Sequence, residues 1–415
     1  MTTYIIKGVR LFDGFKAHQE PKSVLVAGGE IKQIEGSIRC VTKDAVVIDG
    51  KGCTLLPGLI DAHTHVFRGV EEARGALTAG VTTLFDMHNV PANAMYMKKL
   101  GEMTNDVPQI YSALYAATID GGWPRAIVRH TNTDPQVLAS LDGYPKLTTP
   151  EEAAVYVKQN KEAGADFIKL MQESGECLTL SPLPAPTREL QAAVINAAHK
   201  YGLLTFAHAT NLRETLLVLE AGVDGMAHQF FDQAHTEDLI AAYKTTNALL
   251  IPTLTAISSM MGLTTAREWT KTEHADQVLS PPTRQSMCDC MKISRPGCSI
   301  EFAYACIKAL KAEGIDIVCG TDSGPSIHGT GMGAAMHLEM SLYVDKCGFS
   351  PVEALSSATG VSAKRLNLPD RGQVAVGKRA DLILVRGDPT KNINDTTNIE
   401  KVWKKGVLCD IPRSG

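Results

Sequence analysis

Residues 57–66 read PGLIDAHTHV. A largely apolar run from Leu55 to Ile60 meets Asp61, and two histidines follow with one residue between them. Such a run reads as a buried strand with its polar end at the strand's mouth. Side chains alternate faces along a strand, so His63 and His65 point the same way. Two imidazoles a few ångströms apart on one face suit two ligands of one metal ion. The competing reading is a pair of half-exposed strand histidines, and the stretch alone does not choose between them.

Outward from this stretch, apolar runs alternate with helical ones. The candidate strands are LLPGLIDAHTH, GVTTLFDM, QIYSALYAA, DFIKLM, LLTFAHA, GMAHQ, ALLIPTLTA and DIVCGTDS. TPEEAAVYVKQNKEAGA and PTRELQAAVINAAHKYG read as helices; the second opens at Thr187 as a cap, and both end near a glycine. Eight strands separated by helices, each apolar enough to be buried on both faces, predict an α/β fold. The expected form is a (β/α)8 TIM-like barrel over residues 57–367, with chemistry at the C-terminal strand ends. Segment 258–300, containing SPPTRQ and SRPGCS, is expected to form a helical excursion or lid over those ends. The first fifty residues and the far end carry short β-rich runs with Gly and Asp punctuation, an antiparallel signal. They predict a small β-sandwich built from both termini, residues 1–56 with 368–415.

Composition bounds the function. With 415 residues and 44% hydrophobic content, the chain can bury a large core. Charged residues make up 21%, the net charge is −4 and no basic block occurs, which argues against nucleic-acid and polybasic membrane partners. No secretory pattern opens the chain and no apolar run would span a bilayer, so a cytoplasmic protein is expected. Ten cysteines are scattered, and only Cys288 and Cys290 lie close; they read as reduced thiols, and the close pair as a surface loop rather than a metal site.

The ends of the other candidate strands carry polar residues of one kind. DFIKLM contributes Lys169, TFAHAT His208, GMAHQ His228 and VCGTDSG Asp322. Each sits in an apolar run where an unpaired charge or imidazole is costly. Any one alone reads as a satisfied core residue, but six converging on one rim suit Zn²⁺ or a similar divalent ion. Lys169 is the odd member. A buried lysine tends to lose its proton, and a neutral amine takes up carbon dioxide to form a carbamate that could bridge two metals. An ion pair with an acidic neighbour is the competing reading.

These residues resemble the amidohydrolase superfamily: an H-x-H on strand one, a lysine on strand four, single histidines on strands five and six, and an aspartate on strand eight. The lead-in KGCTLLPGLIDAHTHV and the tail GFSPVEALSSATGVSAKRLNLPDRGQVAVGKRADLILV are similar too, so the resemblance covers nearly the whole chain. It is nearest the branch of Xaa-Pro dipeptidases, ochratoxinase-like amidases and imidazolonepropionase-like proteins. The resemblance implies two divalent ions, Zn²⁺ by default, with His63, His65 and Asp322 on one, His208 and His228 on the other, and Lys169 bridging as N6-carboxylysine. It further implies an amide-cleaving enzyme, acting on a non-standard peptide or N-acyl amino acid, with a bridging hydroxide and Asp322 as general base. Cyclic amide, imide, lactone or carbamate hydrolysis, or mononuclear imidazolonepropionase-like ring chemistry, is the alternative. A ligand-less scaffold would have lost its rim histidines, and this chain keeps them. Relatives often form homo-oligomers.

The chain departs from the branch at positions that face substrate in relatives: Asp120-Gly121-Gly122-Trp123-Pro124, Gln172-Glu173-Ser174-Gly175, His208-Ala209-Thr210 and His228-Gln229. Trp123 is a candidate to stack on substrate or to pack beneath its loop. Arg125 and Arg129 could grip a carboxylate or lie solvated on the surface. His328 falls just after Asp322, and His88 follows strand two, either behind the ligands or in a plain loop.

Overall fold

The computed structural model describes residues 1–39, 44–180, 182–325 and 327–410. Five strands open the chain: β1 (Tyr4–Leu11), β2 (Lys22–Ala27), β3 (Glu30–Glu35), β4 (Val46–Asp49) and β5 (Cys53–Pro57). The middle holds β6 (Leu59–Thr64), β7 (Val81–Asp86), β8 (Gln109–Ser112), β9 (Ile168–Met171), β10 (Thr205–His208), β11 (Gly225–Ala227) and β12 (Leu249–Ile251). β13 (Leu382–Arg386), β14 (Ile399–Lys404) and β15 (Val407–Leu408) close it.

Both termini contribute to one eight-stranded sheet, ordered β15-β14-β13-β5-β1-β2-β3 with β4 also on β1. The sheet is mixed rather than antiparallel throughout, because β1 pairs in parallel with both β4 and β5. The reason lies in β1. Its first half, Tyr4–Lys7, takes β2 and β4, and its second half, Arg10 and Leu11, takes β5. Between the halves an extra residue enters at Gly8, whose φ of +67° only glycine adopts without strain. Tyr4, Ile6, Val24, Leu55, Leu382 and Trp403 pack into one apolar cluster against this sheet.

The remaining strands run parallel, in sheets β6-β7-β8 and β9-β10-β11-β12. Single parallel bridges lie between them: Ala117 to Leu170, Leu250 to Ile317 and Thr64 to Ser323. The predicted eighth strand, DIVCGTDS, is therefore present as bridging residues and not as a regular ladder. It is hydrogen-bonded on both sides, Val318 N to Leu250 O and Asp322 N to His63 O. The left-handed backbone at Asp322 (φ 56°) interrupts its extended geometry. PGLIDAHTH proves to be the joint of the molecule. Pro57 pairs with Leu382 in the terminal sheet, and Leu59 pairs with Val81 in the parallel one. Between them a Cβ on Gly58 would lie 2.3 Å from Thr82 Oγ1, so any larger residue at that crossing would force the Thr82 side chain to move.

Helices fill the connections. Thr149 caps Pro150–Glu162 with a capping box, Thr187 caps Arg188–Lys200, and Gly164 and Gly202 follow their ends with positive φ. Segment 258–300 begins in helix Leu254–Met260 and continues through the short helices Thr265–Trp269 and Pro281–Met287. It returns beside residues 178 and 179, where Leu178 bridges Ser294 and Thr179 N donates to Ile293 O. Among the described residues no helix is long and apolar enough to cross a membrane. The nine described cysteines, Cys288 and Cys290 among them, are all free thiols.

Candidate metal centre

The floor of the site is apolar. Ile60, Ala62, Phe85, Phe167, Phe206, Ile251 and Val318 form one buried cluster, and Phe167 and Phe206 precede Lys169 and His208 by two positions, on the same face of their strands. Above that layer His63, His65, Lys169, His208, His228 and Asp322 line a single cavity of about 150 Å³. β6 carries an extra residue relative to β7 between Asp61 and Thr64, a bulge that re-aims His63. His228 and Asp322 both hold left-handed backbone, φ 76° and 56°, a strained conformation that persists where the surroundings enforce it.

Asp322 is the centre of the contacts. Its Oδ1 lies 3.2 Å from His63 Nε2 and 3.1 Å from His65 Nε2, and its Oδ2 lies 4.0 Å from His228 Nδ1. One ligand atom from each of His63, His65 and Asp322 falls within 4.8 Å of the others. Asp61 braces this group from below, accepting from His63 N at 3.2 Å, Thr321 N at 3.1 Å and Thr321 Oγ1 at 2.7 Å. The outer partners orient the imidazoles. His228 Nδ1 meets Thr253 Oγ1 at 2.8 Å and His208 Nε2 meets Glu173 Oε2 at 3.1 Å, which leaves Nε2 of the first and Nδ1 of the second for a ligand role. Glu173 is itself held by Gly175 N and Thr210 Oγ1, both at 2.6 Å.

Burial dominates the electrostatics. It pushes Lys169 down to about 7, only partly opposed by Asp322, and the Nζ atom is buried with no hydrogen-bond partner. Burial, with Lys169 adding to it, holds His63 down at about 3. Burial alone would raise Asp322, but His63, His65 and His228 outweigh it and keep the carboxyl well below its usual range. His65 goes the other way: burial would lower it, but Asp322, with Asp86, outweighs that and raises the imidazole. The cluster thus offers imidazoles, a carboxylate and an amine whose charged form burial disfavours, donors that suit a divalent cation. Lys169 has no acidic hydrogen-bond partner here, so the ion-pair reading loses its ground.

The pocket candidates part ways. Trp123 lines the cavity and stacks on His208, ring centroids 5.2 Å apart at 24°, so that imidazole occupies one of its faces. Arg125 does not line the cavity. Its guanidinium donates to the carbonyls of Ile119, Tyr144 and Pro145 at 2.8–3.1 Å and lies over the Tyr144 ring. The expected carboxylate grip is therefore replaced by a clasp on the loop backbone, because a buried guanidinium needs its donors filled from within. Arg129 is exposed. His328 is exposed as well, pairs with Asp289 at 3.2 Å and does not line the cavity. His88 does reach the cavity, and its carbonyl lies 3.3 Å from His65 Nδ1.

Sequence reasoning missed Glu173 and Thr253 as partners of the histidines. For Glu173 the signal was available: it stands in the tract that departs from the branch, directly after an apolar strand. Thr253 gave none, since only the fold brings it to His228. Met260, Met291 and Ile293, from the excursion at 258–300, also face the cavity.

Comparison with known proteins adds the family. A dihydroorotase of Leifsonia xyli subsp. xyli (strain CTCB07) is 36% identical over 95 residues, 21% of this chain and 20% of that protein. An imidazolonepropionase of Deinococcus deserti (strain DSM 17065 / CIP 109153 / LMG 22923 / VCD115) is 33% identical over 97 residues, 23% of this chain and 24% of that protein. The chain thus spans about a fifth to a quarter of the length of these curated relatives. A solved structure of a Xaa-Pro dipeptidase with methionine bound in its active site shares the fold, with a TM-score of 0.76 at 24% identity over 99% of this chain and 100% of that one. The model of the amidohydrolase family matches residues 54–409, and the chain belongs to that family.

Proposed function

We propose that this chain is a metal-dependent hydrolase that cleaves a C–N amide bond, with residues 57–367 as its catalytic domain and 1–56 with 368–415 as a composite β-sandwich. The bridges at Ala117, Leu250 and Thr64 support a closed eight-stranded barrel. The change of partners along β1 supports a sheet folded into two layers, since strands that switch sheets do so at bulges. The observation that carries the functional reading is the meeting of Asp322 Oδ1 with both His63 Nε2 and His65 Nε2 in a cavity that also holds an unpartnered, desolvated Lys169.

His63, His65 and Asp322 would hold one ion and His208 and His228 a second, with Lys169 bridging as N6-carboxylysine; Zn²⁺ fits the donor chemistry. When bound, such ions polarise a substrate carbonyl and make water a nucleophile near neutral pH. The protein's own part is then positioning and proton transfer. Glu173 and Thr253 fix which nitrogen His208 and His228 present. Asp322 Oδ2, clear of the close histidine contacts made by Oδ1, takes the proton from water and returns it to the departing nitrogen. Trp123 and Met291 help close the cavity to bulk solvent. The tight group of His63, His65 and Asp322 favours one second reading, a single-ion hydrolase opening a cyclic amide, imide or lactone or cleaving a carbamate. With the main reading go the expectations of a small-molecule substrate, a cytoplasmic homo-oligomer, and neither nucleic-acid nor membrane partners.

Metal content per chain on protein purified without chelators, with turnover of Asp322→Asn on an amide panel, tests this. About two ions, and an Asn variant that keeps most of its metal while losing at least about 10³-fold in kcat, are expected. One ion would shift the reading to the mononuclear alternative, and normal turnover in the variant would remove Asp322 from its role.

A further inference from the structure

Beyond the six candidate ligands the wall of the cavity is largely apolar, with Asn132 and Tyr144 among its polar members. Phe67, Ile127, Val128, Met260, Ile293 and Ile327 face it. Among the described residues that line it, no arginine occurs and Lys169 is the only lysine. The nearest sequence candidate for gripping an anion, Arg125, has its guanidinium on three loop carbonyls. Away from the candidate ligands, a carboxylate held against such a wall would be stripped of water with no side-chain cation to meet it, which is unfavourable.

One polar group of that wall is poised and unpaired. The backbone N–H of Ala116 donates to His88 Nδ1 at 3.0 Å, so that nitrogen carries no proton and the ring's hydrogen sits on Nε2. His88 is 4% exposed, lines the cavity, and its Nε2 has no partner. The edge of its ring contact with Tyr144, centroids 4.7 Å apart at 80°, sets its orientation. That nitrogen is itself shielded, so it is an unsatisfied buried donor on a cavity-lining residue, and a small turn of the ring would bring it to a neutral acceptor.

Resting on the hydrolase reading above, we infer that the substrate is an uncharged, largely apolar amide whose one further acceptor atom is received by His88 Nε2–H. The N-acyl amino acid class, which brings a carboxylate, is disfavoured. His88 is on this account a substrate-binding residue, and the wall from Ile127 to Ile327 selects against charge.

Acetanilide and 4-acetamidobenzoate differ by one carboxylate and make a matched pair; 4-methoxyacetanilide adds a neutral acceptor. Binding by calorimetry and hydrolysis by chromatography are measured on metal-replete protein. Acetanilide is expected to bind at least tenfold more tightly than 4-acetamidobenzoate, and Val128→Lys, which sets a cation on the wall, to reverse that order. The methoxy compound should lose its advantage over acetanilide in His88→Leu and recover part of it in His88→Gln, which keeps a side-chain N–H. Equal or tighter binding of the carboxylate by the wild-type protein overturns the inference, as does failure of the neutral pair to bind. Preferred binding of neutral amides without hydrolysis of any amide would leave the cavity assignment standing and overturn the hydrolase reading instead.

Discussion

Among the described residues two lysines are buried, and they are treated in opposite ways. Lys404 in β14 is fully buried and donates to the carbonyls of Gly101 at 2.5 Å, Thr104 at 3.0 Å and Val107 at 2.6 Å. Those carbonyls lie at the end of helix Pro91–Met103 and just beyond it, where backbone acceptors are left over and a cation is welcome. Lys169 in β9 is as deeply buried, 1% exposed, and its Nζ has no hydrogen-bond partner at all. The first is part of the architecture: it ties the terminal sheet to a helix of the parallel region. The second costs stability as it stands, and a fold keeps such a group where chemistry needs it. Between these two lysines, it is satisfaction of the buried group, more than burial or residue type, that differs.

The sharpest way to break that contrast is to remove each lysine. Lys169→Ala should lose more than about 10³-fold in turnover, several kcal/mol of barrier, together with bound metal. Its metal-free thermal stability should be unchanged or higher, because a desolvated amine has gone. A variant that keeps wild-type metal content and activity would make Lys169 an ordinary core residue. Lys404→Met should do the reverse. Three buried carbonyls lose their donor, which costs about 3–5 kcal/mol, and Tm falls by several degrees while metal content per folded chain and kcat stay near wild type. Unchanged Tm would show that water or a backbone shift replaces the clasp.

Glu339 sharpens the rule from a third place. Its carboxyl accepts from Leu254 N at 2.7 Å, Thr255 N at 2.9 Å and Thr255 Oγ1 at 2.8 Å, yet burial outweighs these donors and pushes it up to about 7 from its ordinary 4.5. The folded state therefore holds a proton that the unfolded chain releases across that interval. Stability contributed by this group is fully present below about 4.5 and is lost as pH rises toward about 7. Relative to Glu339→Gln, the wild-type protein should lose on the order of 2–3 kcal/mol between those limits. Tm measured against pH for both proteins checks this; parallel curves would mean that three donors are enough to keep a buried carboxylate charged.

The legible part of the site was what local pattern carries. His63, His65, Lys169, His208, His228 and Asp322 each stand at the end of an apolar run, and the structure gathers all six around one cavity. Strand and helix positions followed from the same periodicity, including Thr149 and Thr187 at their helix starts. Arg125 and His328 misled because a side chain's type says nothing of what its neighbours already offer it. Three loop carbonyls hold one, and Asp289 with open solvent holds the other.

Taken alone, then, the sequence determined which residues could act as ligands and roughly where strands and helices run, because both depend on neighbours within a few positions. The tertiary structure decided the rest. Parallel pairing of β1 with β4 and β5 depends on partners 42 to 44 residues away. Glu173 reaches His208 across 35 positions and Thr253 reaches His228 across 25. Whether a buried nitrogen is left open, as in Lys169 and His88, is settled by atoms from several strands and loops at once, and no local pattern records that.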